Sequence, residues 1–544
     1  MSSPVFVETP KQSQPSTRRS FRRLWIILAC VAVGVTAFYA IIFGIYWPFT
    51  RQALIDTLQE RSLRTVTVGR FRRTYFPPGC VAEQIRFLRF RHKDQPPLIT
   101  IRKLTISTTY PMLFTFRHRI GTVRVDGLSL VVPARVPAGA PSPVMPLTYS
   151  NSKNSMPIDN LYADGAFLEF YRESNPRPLR IVIHKLAIHN ISPHSALTYK
   201  VRLYNSEPPG TITSEGTFGP WDPKNTGSVP VHGTFHYDEA NLAFFKELAG
   251  TLFAQGKFDG DLSRINVNGA LNVRDFTVRG TSHKRRLGVN YQVDVNATNG
   301  DIDLTNVDAA FDRTKLSVTG SITGVEGHPN KDLSLDISTR QARIEDLMNL
   351  FISDGQPPMT GNLVAHLQVH VPANRDSFVR AMTANGAFGL GRGKFTDSQT
   401  EQGLTRLSES AQNGEPDKSE NPATALSDLK GRFTVSEGIA HLSHVDFHVP
   451  GARALLDGQY NLIDYQTEMR GLLITKGNVS AATTGVKSFL VKVLSPFFKR
   501  WHQQKVVPFK ITGSYGHANV SLDLDRKRQL EQAGIATGKP KITH

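Results

Sequence analysis

Cysteine is almost missing from this chain: two residues in 544, Cys30 and Cys80. Cys30 lies inside a long apolar run and Cys80 beyond it, so the two are not expected to meet. That excludes an intrachain disulfide and a cysteine-based zinc site. Helical periodicity is sparse, and so are catalytic signatures. No H-E-x-x-H, G-x-S-x-G or G-x-x-x-x-G-K-[ST] occurs in the sequence. In "GTLFAQGKF" and "GLGRGKF" the lysine precedes Phe, so these read as strand and turn glycines, not phosphate loops. No WD or kelch period of about 40–50 residues appears, which argues against a propeller. A hydrolase acting on envelope polymers has no motif behind it.

What is present begins with charge. Lys and Arg number 64 and Asp and Glu 46, a net charge of +18. Such a surplus favours an anionic partner, nucleic acid or phospholipid headgroups. The run Leu24–Trp47, "LWIILACVAVGVTAFYAIIFGIYW", decides between them, because it holds no charge. At about 1.5 Å per residue it reaches roughly 36 Å, enough for a bilayer core of about 30 Å. It is longer than a signal-peptide core, and no clean A-x-A follows it. Leu24, Trp25, Tyr46 and Trp47 are therefore read as the ends of an uncleaved membrane anchor, with aromatic rings at the interface. Arg18, Arg19, Arg22 and Arg23 precede it directly. They are expected to hold residues 1–23 in the cytoplasm and to send the rest of the chain across.

Beyond the anchor a short helix is expected, with Ala53, Leu54, Leu58 and Leu63 at near-helical spacing. Strands then dominate. In "HVDFHVPGARALLDGQYNLIDYQTEMRG", Val445, Phe447 and Val449 alternate with His444, Asp446 and His448. One face of such a strand is apolar and the other polar. Gly or Asn-Gly marks many joints, among them Asp126-Gly127 and Asn299-Gly300. Helices are read at Asp238–Phe253, at Arg340–Phe351 and in "NRDSFVRAMTAN". Two polar, Pro- and Ser-containing loops are read at 133–157 and about 396–428. Strands without regular intervening helices disfavour a parallel βαβ sheet. The choices left are serial sandwiches or one long antiparallel sheet.

Several segments, taken in order, resemble the AsmA-like family, inner-membrane-anchored envelope proteins of Gram-negative bacteria. "ALIDTLQERSLRTVTVGRFRRTYFPPGCVAEQIRF" resembles the family's opening. "GTFHYDEANLAFFKELAGTLFAQGKFDGDLSRINVNGALNVRDFTV" resembles its repeating segment, and "STRQARIEDLMNLF" its linking segment. "GAFGLGRGKF", "GRFTVSEGIAHLSHVDFHV", "ALLDGQYNLIDYQTEMRG" and "VPFKITGSYGHANVSLDL" resemble its C-terminal region. The resemblance implies a mainly β fold: one N-terminal transmembrane helix, then an elongated, curled antiparallel sheet forming a taco-like groove with a few short helices. It divides the chain into a cytoplasmic tail (1–23), an anchor (24–47), an N-terminal and middle groove region (48–337), a C-terminal β region (338–525) and a flexible tail (526–544). It implies no enzyme and no cofactor. It implies phospholipid acyl chains in the groove, carried between inner and outer membranes, with an outer-membrane or envelope protein as possible partner and nucleic acid as none. Val445, Phe447, Leu456, Val520 and Leu522 stand for the groove lining. A nonenzymatic scaffold for outer-membrane proteins is the alternative.

Two further features are weighed. In 485–505, Phe489, Leu490, Val493, Leu494, Phe497, Phe498 and Trp501 recur at helical spacing beside Lys and Arg. That suits a membrane-lying helix or an ordinary core helix. His441, His444, Asp446 and His448 suggest a metal, but a polar strand face exposed to solvent accounts for them.

Overall fold

The structure, a computed structural model, describes residues 29–37 and most of 47–532. Residues 1–28, 38–46, 89–96, 134–156, 397–426, 476–505 and 533–544 lie outside it, as do several shorter stretches. Leu24, Trp25, Tyr46, Leu63, both polar loops and the basic amphipathic segment 485–505 are thus outside the described residues. Residues 29–37, inside the uncharged run, are helical. Among the described residues no helix is long and apolar enough to cross a membrane.

The chain is mainly β, built as one long, unclosed, curled sheet of 23 strands. Each strand pairs with the next in sequence, from β1 (Val66–Tyr75) and β2 (Pro78–Phe87) through to β22 (Val506–Ser514) and β23 (Asn519–Leu522). At about 4.8 Å per strand the ladder is roughly 105 Å long. An open sheet of this many strands has to twist and curl, because strand twist accumulates. Position 338 falls inside β15 (Lys331–Arg343), and the ladder continues unbroken into β16 (Met359–Val371).

Among the described strands, only β4 (Ile120–Val132) and β5 (Ile158–Arg172) pair parallel. A hairpin cannot make that link, because a parallel partner needs a crossover of a dozen or more residues. The Pro- and Ser-rich segment between them supplies the length. Asp126-Gly127, expected at a joint, lies inside β4, and Asp164-Gly165 lies opposite it in β5. Both glycines have positive φ, +65° and +64°. They mark a paired irregularity, not a turn.

The first helix, α1 (Arg51–Ser62), forms where the sequence predicts it. Thr50 caps it, its Oγ1 accepting from the Ala53 amide at 3.2 Å. Leu54, Ile55 and Leu58 face the first strands. The helix expected at Asp238–Phe253 does not form. That segment is the end of β9 (Pro230–Asn241), a short 3₁₀ turn at Leu242–Phe244 and the start of β10 (Leu248–Asp261). Leu248, Leu252 and Ala254 fit a strand as well as a helix, and the ladder on both sides settles it in favour of the strand. The helix expected over Arg340–Phe351 shrinks to Ile344–Met348, since β15 runs on through Arg343.

A candidate apolar trough

Residues directly opposite each other in adjacent strands share one face of the sheet. Following that register across the molecule gives one continuous row. It starts at Phe71, Ala82, Leu104, Val125 and Ala163 on the first five strands. It continues through Leu186, Val201, Ser214, Phe235, Gly256 and Gly269. Next come Tyr291, Val307, Val318, Ile337, Leu367 and Gly386. Phe433, Leu442, Gly458, Met469, Ile511 and Val520 complete it at β23. Only Ser214 breaks the apolar character, apart from the phenol of Tyr291. Ser214 spends its hydroxyl inside the sheet, donating to the Thr234 carbonyl at 2.9 Å.

A second row lies beside it, about 6.6–7 Å away along the strands. It includes Ile106, Val123, Leu161, Ile188, Tyr199 and, further on, Phe258, Val267 and Leu335. Polar and charged side chains take the other face: Lys200, Gln292, Gln368 and Arg470 are exposed.

Burial separates the two ends of the apolar face. At the N-terminal end it is a packed core: Ala82 and Ile85 are 0% exposed, and Val66, Val68, Phe87 and Leu104 are buried with them. Helix α1 lies over these strands. From Leu186 to Ile511 every member of the main row is half-buried and none is buried. These side chains touch one another sideways and are left uncovered above. Alanine separates side-chain size from enclosure, because it is the same size everywhere. Ala309 and Ala365 on the apolar face are half-buried, whereas their neighbours Ala310 and Ala387 on the polar face are exposed. At these two places the apolar side is the more enclosed, while Ala270, on the polar face opposite Gln255 and Asn290, is half-buried as well.

The floor of this trough has its own construction. A Cβ placed on Gly256 would sit 2.8 Å from a Phe235 ring carbon, and one on Gly233 would sit 2.6 Å from Phe258 Cζ. Gly386 beneath Phe433, Gly431 beneath Phe388 and Gly471 beneath Phe509 repeat the pattern, at 2.9, 2.8 and 2.4 Å. Gly269 does the same for Tyr291, whose hydroxyl would be 2.7 Å away. Each ring leans over a glycine on the next strand instead of standing up from the sheet. Burial of the ring raises the Tyr291 phenol above its ordinary pKa.

The named lining residues fall on this face. Val445 faces Leu456 directly, and the same line passes through Gly471 and Phe509 to Leu522. Phe447 lies opposite Ala454, and Val520 closes the main row. Val445 is buried; Phe447 and Leu456 are half-buried. Trp47 is buried at 3% exposure against Tyr75 and Phe49, with ring centroids 4.9 and 6.1 Å away.

The solvated polar face expected around His444 is only partly found. His441 and His444 are exposed, and His444 sits at a bulge with φ +53°. Asp446 is buried instead. It accepts from both Arg453 Nε and Nη2 of the next strand, at 2.8 and 2.6 Å. That two-point hydrogen bond holds its carboxyl below the usual aspartate range. Among the described residues no three His, Cys, Asp or Glu side chains gather where they could hold a metal.

A buried acidic pair that sequence reading missed ties β15 to its neighbours. Glu345 meets Arg313 and Arg343 at 2.9 and 2.8 Å and accepts from the Gly361 amide at 3.1 Å. Asp346 accepts from the Thr314 hydroxyl and the Arg313 amide, each at 3.0 Å. Burial works to raise the Glu345 pKa, but the backbone amides and Arg343 outweigh it, so the net shift is downward. The signal was in the sequence as "RIED" ending a strand, where adjacent acids can serve the first turn of a helix.

The fold thus defines an open, one-sided apolar sheet. No protein-family model matches the chain, and no curated protein matches it.

Proposed function

We propose that this chain is a nonenzymatic carrier that holds phospholipid acyl chains along the apolar face of its sheet, as the resemblance to AsmA-like proteins implies. The observation behind this reading is the row from Leu186 to Ile511, half-buried throughout and apolar but for Ser214 and the phenol of Tyr291. A contiguous apolar surface of that length is costly in water and calls for an occupant. Hydrocarbon suits it: each CH₂ moved from water contributes about 0.8 kcal/mol. An acyl chain makes no directional demands, so a floor almost without hydrogen-bonding groups, its Ser214 hydroxyl already spent on the Thr234 carbonyl, suits it along the row. Headgroups stay in water beside the rims, and the net charge of +18 favours anionic ones.

In this reading Leu24–Trp47 anchors the chain in the inner membrane, with its N-terminus cytoplasmic and the sheet in the periplasm. Cargo moves between the inner and outer membranes, with an envelope protein completing the path. Helix α1 and the packed core beneath it close the near end, so acyl chains enter beyond β5. The second reading, a scaffold for outer-membrane proteins, draws on the two open sheet edges at β1 and β23, which offer backbone groups to a partner strand.

Mass spectrometry of the sheet region purified without detergent distinguishes the two. Stoichiometric phospholipid supports the carrier. Lipid-free protein that still captures an envelope partner overturns it in favour of the scaffold.

A further inference from the structure

The β1–β2 hairpin ends in an unusual turn. Tyr75 pairs with Pro78, which leaves Phe76 and Pro77 as the two turn residues. Phe76 is 89% exposed, the most exposed large apolar side chain among the described residues, and Tyr75 is 45% exposed. Tyr110 on the neighbouring short helix (Tyr110–Phe114) braces the turn. Its hydroxyl donates to the Tyr75 carbonyl at 2.7 Å, and its ring meets Phe76 edge-on at 5.8 Å. Arg72 and Arg73, just before the tip, are exposed, and neither takes part in an ion pair among the described residues.

The position of this tip is fixed by Trp47. Its ring packs on Tyr75 at 4.9 Å and is 3% exposed. Trp47 is also the last residue of the segment Leu24–Trp47 read as the membrane span. The point where that segment meets the folded sheet is therefore the point where Phe76 projects. An exposed aromatic ring beside two arginines has the chemistry of the bilayer interface, where rings sit at headgroup level and arginines meet phosphate.

We infer that the β1–β2 tip is a second membrane contact, with Phe76 inserted at the headgroup level of an anionic bilayer and Arg72 and Arg73 on its phosphates. This rests on the reading of Leu24–Trp47 as a membrane span. A single helix fixes a point but not an orientation. A second contact beside it stops the sheet from swinging about the anchor and sets the angle at which the trough leaves the membrane.

The test uses the full chain in vesicles of phosphatidylethanolamine and phosphatidylglycerol. Phe76→Cys is made with Cys30→Ser and labelled with the polarity-sensitive dye NBD. Cys80 is left in place: it is 2% exposed, and burial pushes its thiol up to about 11, so it does not react. Ala297→Cys, in the exposed turn after β12 (Arg285–Val295), is the reference. Dye at 76 is expected to emit at shorter wavelength and to be quenched by aqueous dithionite several-fold more slowly than dye at 297. Adding Arg72→Glu and Arg73→Glu is expected to remove most of that protection. Equal quenching at 76 and 297, in a chain that resists alkaline extraction, overturns the contact and leaves the anchor standing. A chain stripped from the vesicles by alkali overturns both.

Discussion

The ring of Phe258 lies over Gly233 on the neighbouring strand, so close that a Cβ there would be 2.6 Å from its Cζ. Phe235 stands in the same relation to Gly256, with the order of strands reversed. Between them these two pairs pave the trough floor at β9 and β10 with rings that lie down.

A glycine-to-alanine change whose new methyl meets only side chains is expected to act on the trough more than on the ladder. In Gly431→Ala the methyl meets Phe388 at 2.8 Å and Val445 at 3.0 Å and pushes the Phe388 ring upward, at a strain of about 1–3 kcal/mol. Phospholipid retained by the purified protein should fall several-fold. Gly288→Ala is the control, since its Cβ would meet nothing nearer than 3.9 Å, and it should retain lipid as the parent does. Phosphate analysis of extracted lipid reads both.

A carboxylate in the row separates transport from folding. Val201→Asp and Leu367→Asp sit at half-buried positions open above, so the sheet should form while acyl chains avoid the charge. Lipid transfer between vesicles should drop at least tenfold. Ile85→Ala, in the packed N-terminal core, is expected to lower stability by about 2–5 kcal/mol instead, seen as a lower urea midpoint for the first strands.

The Asp446–Arg453 pair gives a pH signature. Its carboxyl is held below the usual range, so the folded state binds that proton less readily than the unfolded chain does. Its contribution is complete above the ordinary aspartate pKa near 4 and is lost as pH falls through the lower folded value. Asp446→Asn should therefore loosen β19 (Ile439–Val449) and β20 (Ala452–Asn461) at pH 7. The difference from the parent should vanish in strong acid, with hydrogen exchange corrected for intrinsic rates as the readout.

Glu345→Ala leaves the Gly361 amide without its acceptor and takes one acceptor each from Arg313, which keeps Asp346, and Arg343, which keeps Asn362. Breaking a fully buried pair costs about 3–5 kcal/mol, and the partly exposed arginines here bring the expectation to roughly 1–3. Limited proteolysis is expected to cut between β15 and β16 first.

Much of the sheet was legible in residue alternation, because one apolar face with a period of two leaves few other ways to fold. Val445, Phe447 and Leu456 were placed on a common face that way. Three features were not legible, each for a physical reason. The stretch around Leu242 and Leu248 satisfies both periods, and only the flanking ladder decides it. Asp446 follows the alternation of a polar face, but its burial depends on Arg453, which the next strand brings into reach. The parallel pairing of β4 with β5 is a property of chain path, and its sole local hint was the length of the segment between them.

The most direct test of the lipid-carrying trough is photo-crosslinking in cells along both faces of the sheet. Benzoylphenylalanine goes at Val201, Tyr291, Leu367 and Met469 on the apolar row, and at Lys200, Gln292, Gln368 and Arg470 beside them on the polar face. Phospholipid adducts at all four row positions and at none of the polar ones are expected. Adducts equally frequent on both faces, or row positions that capture only protein, would contradict the account.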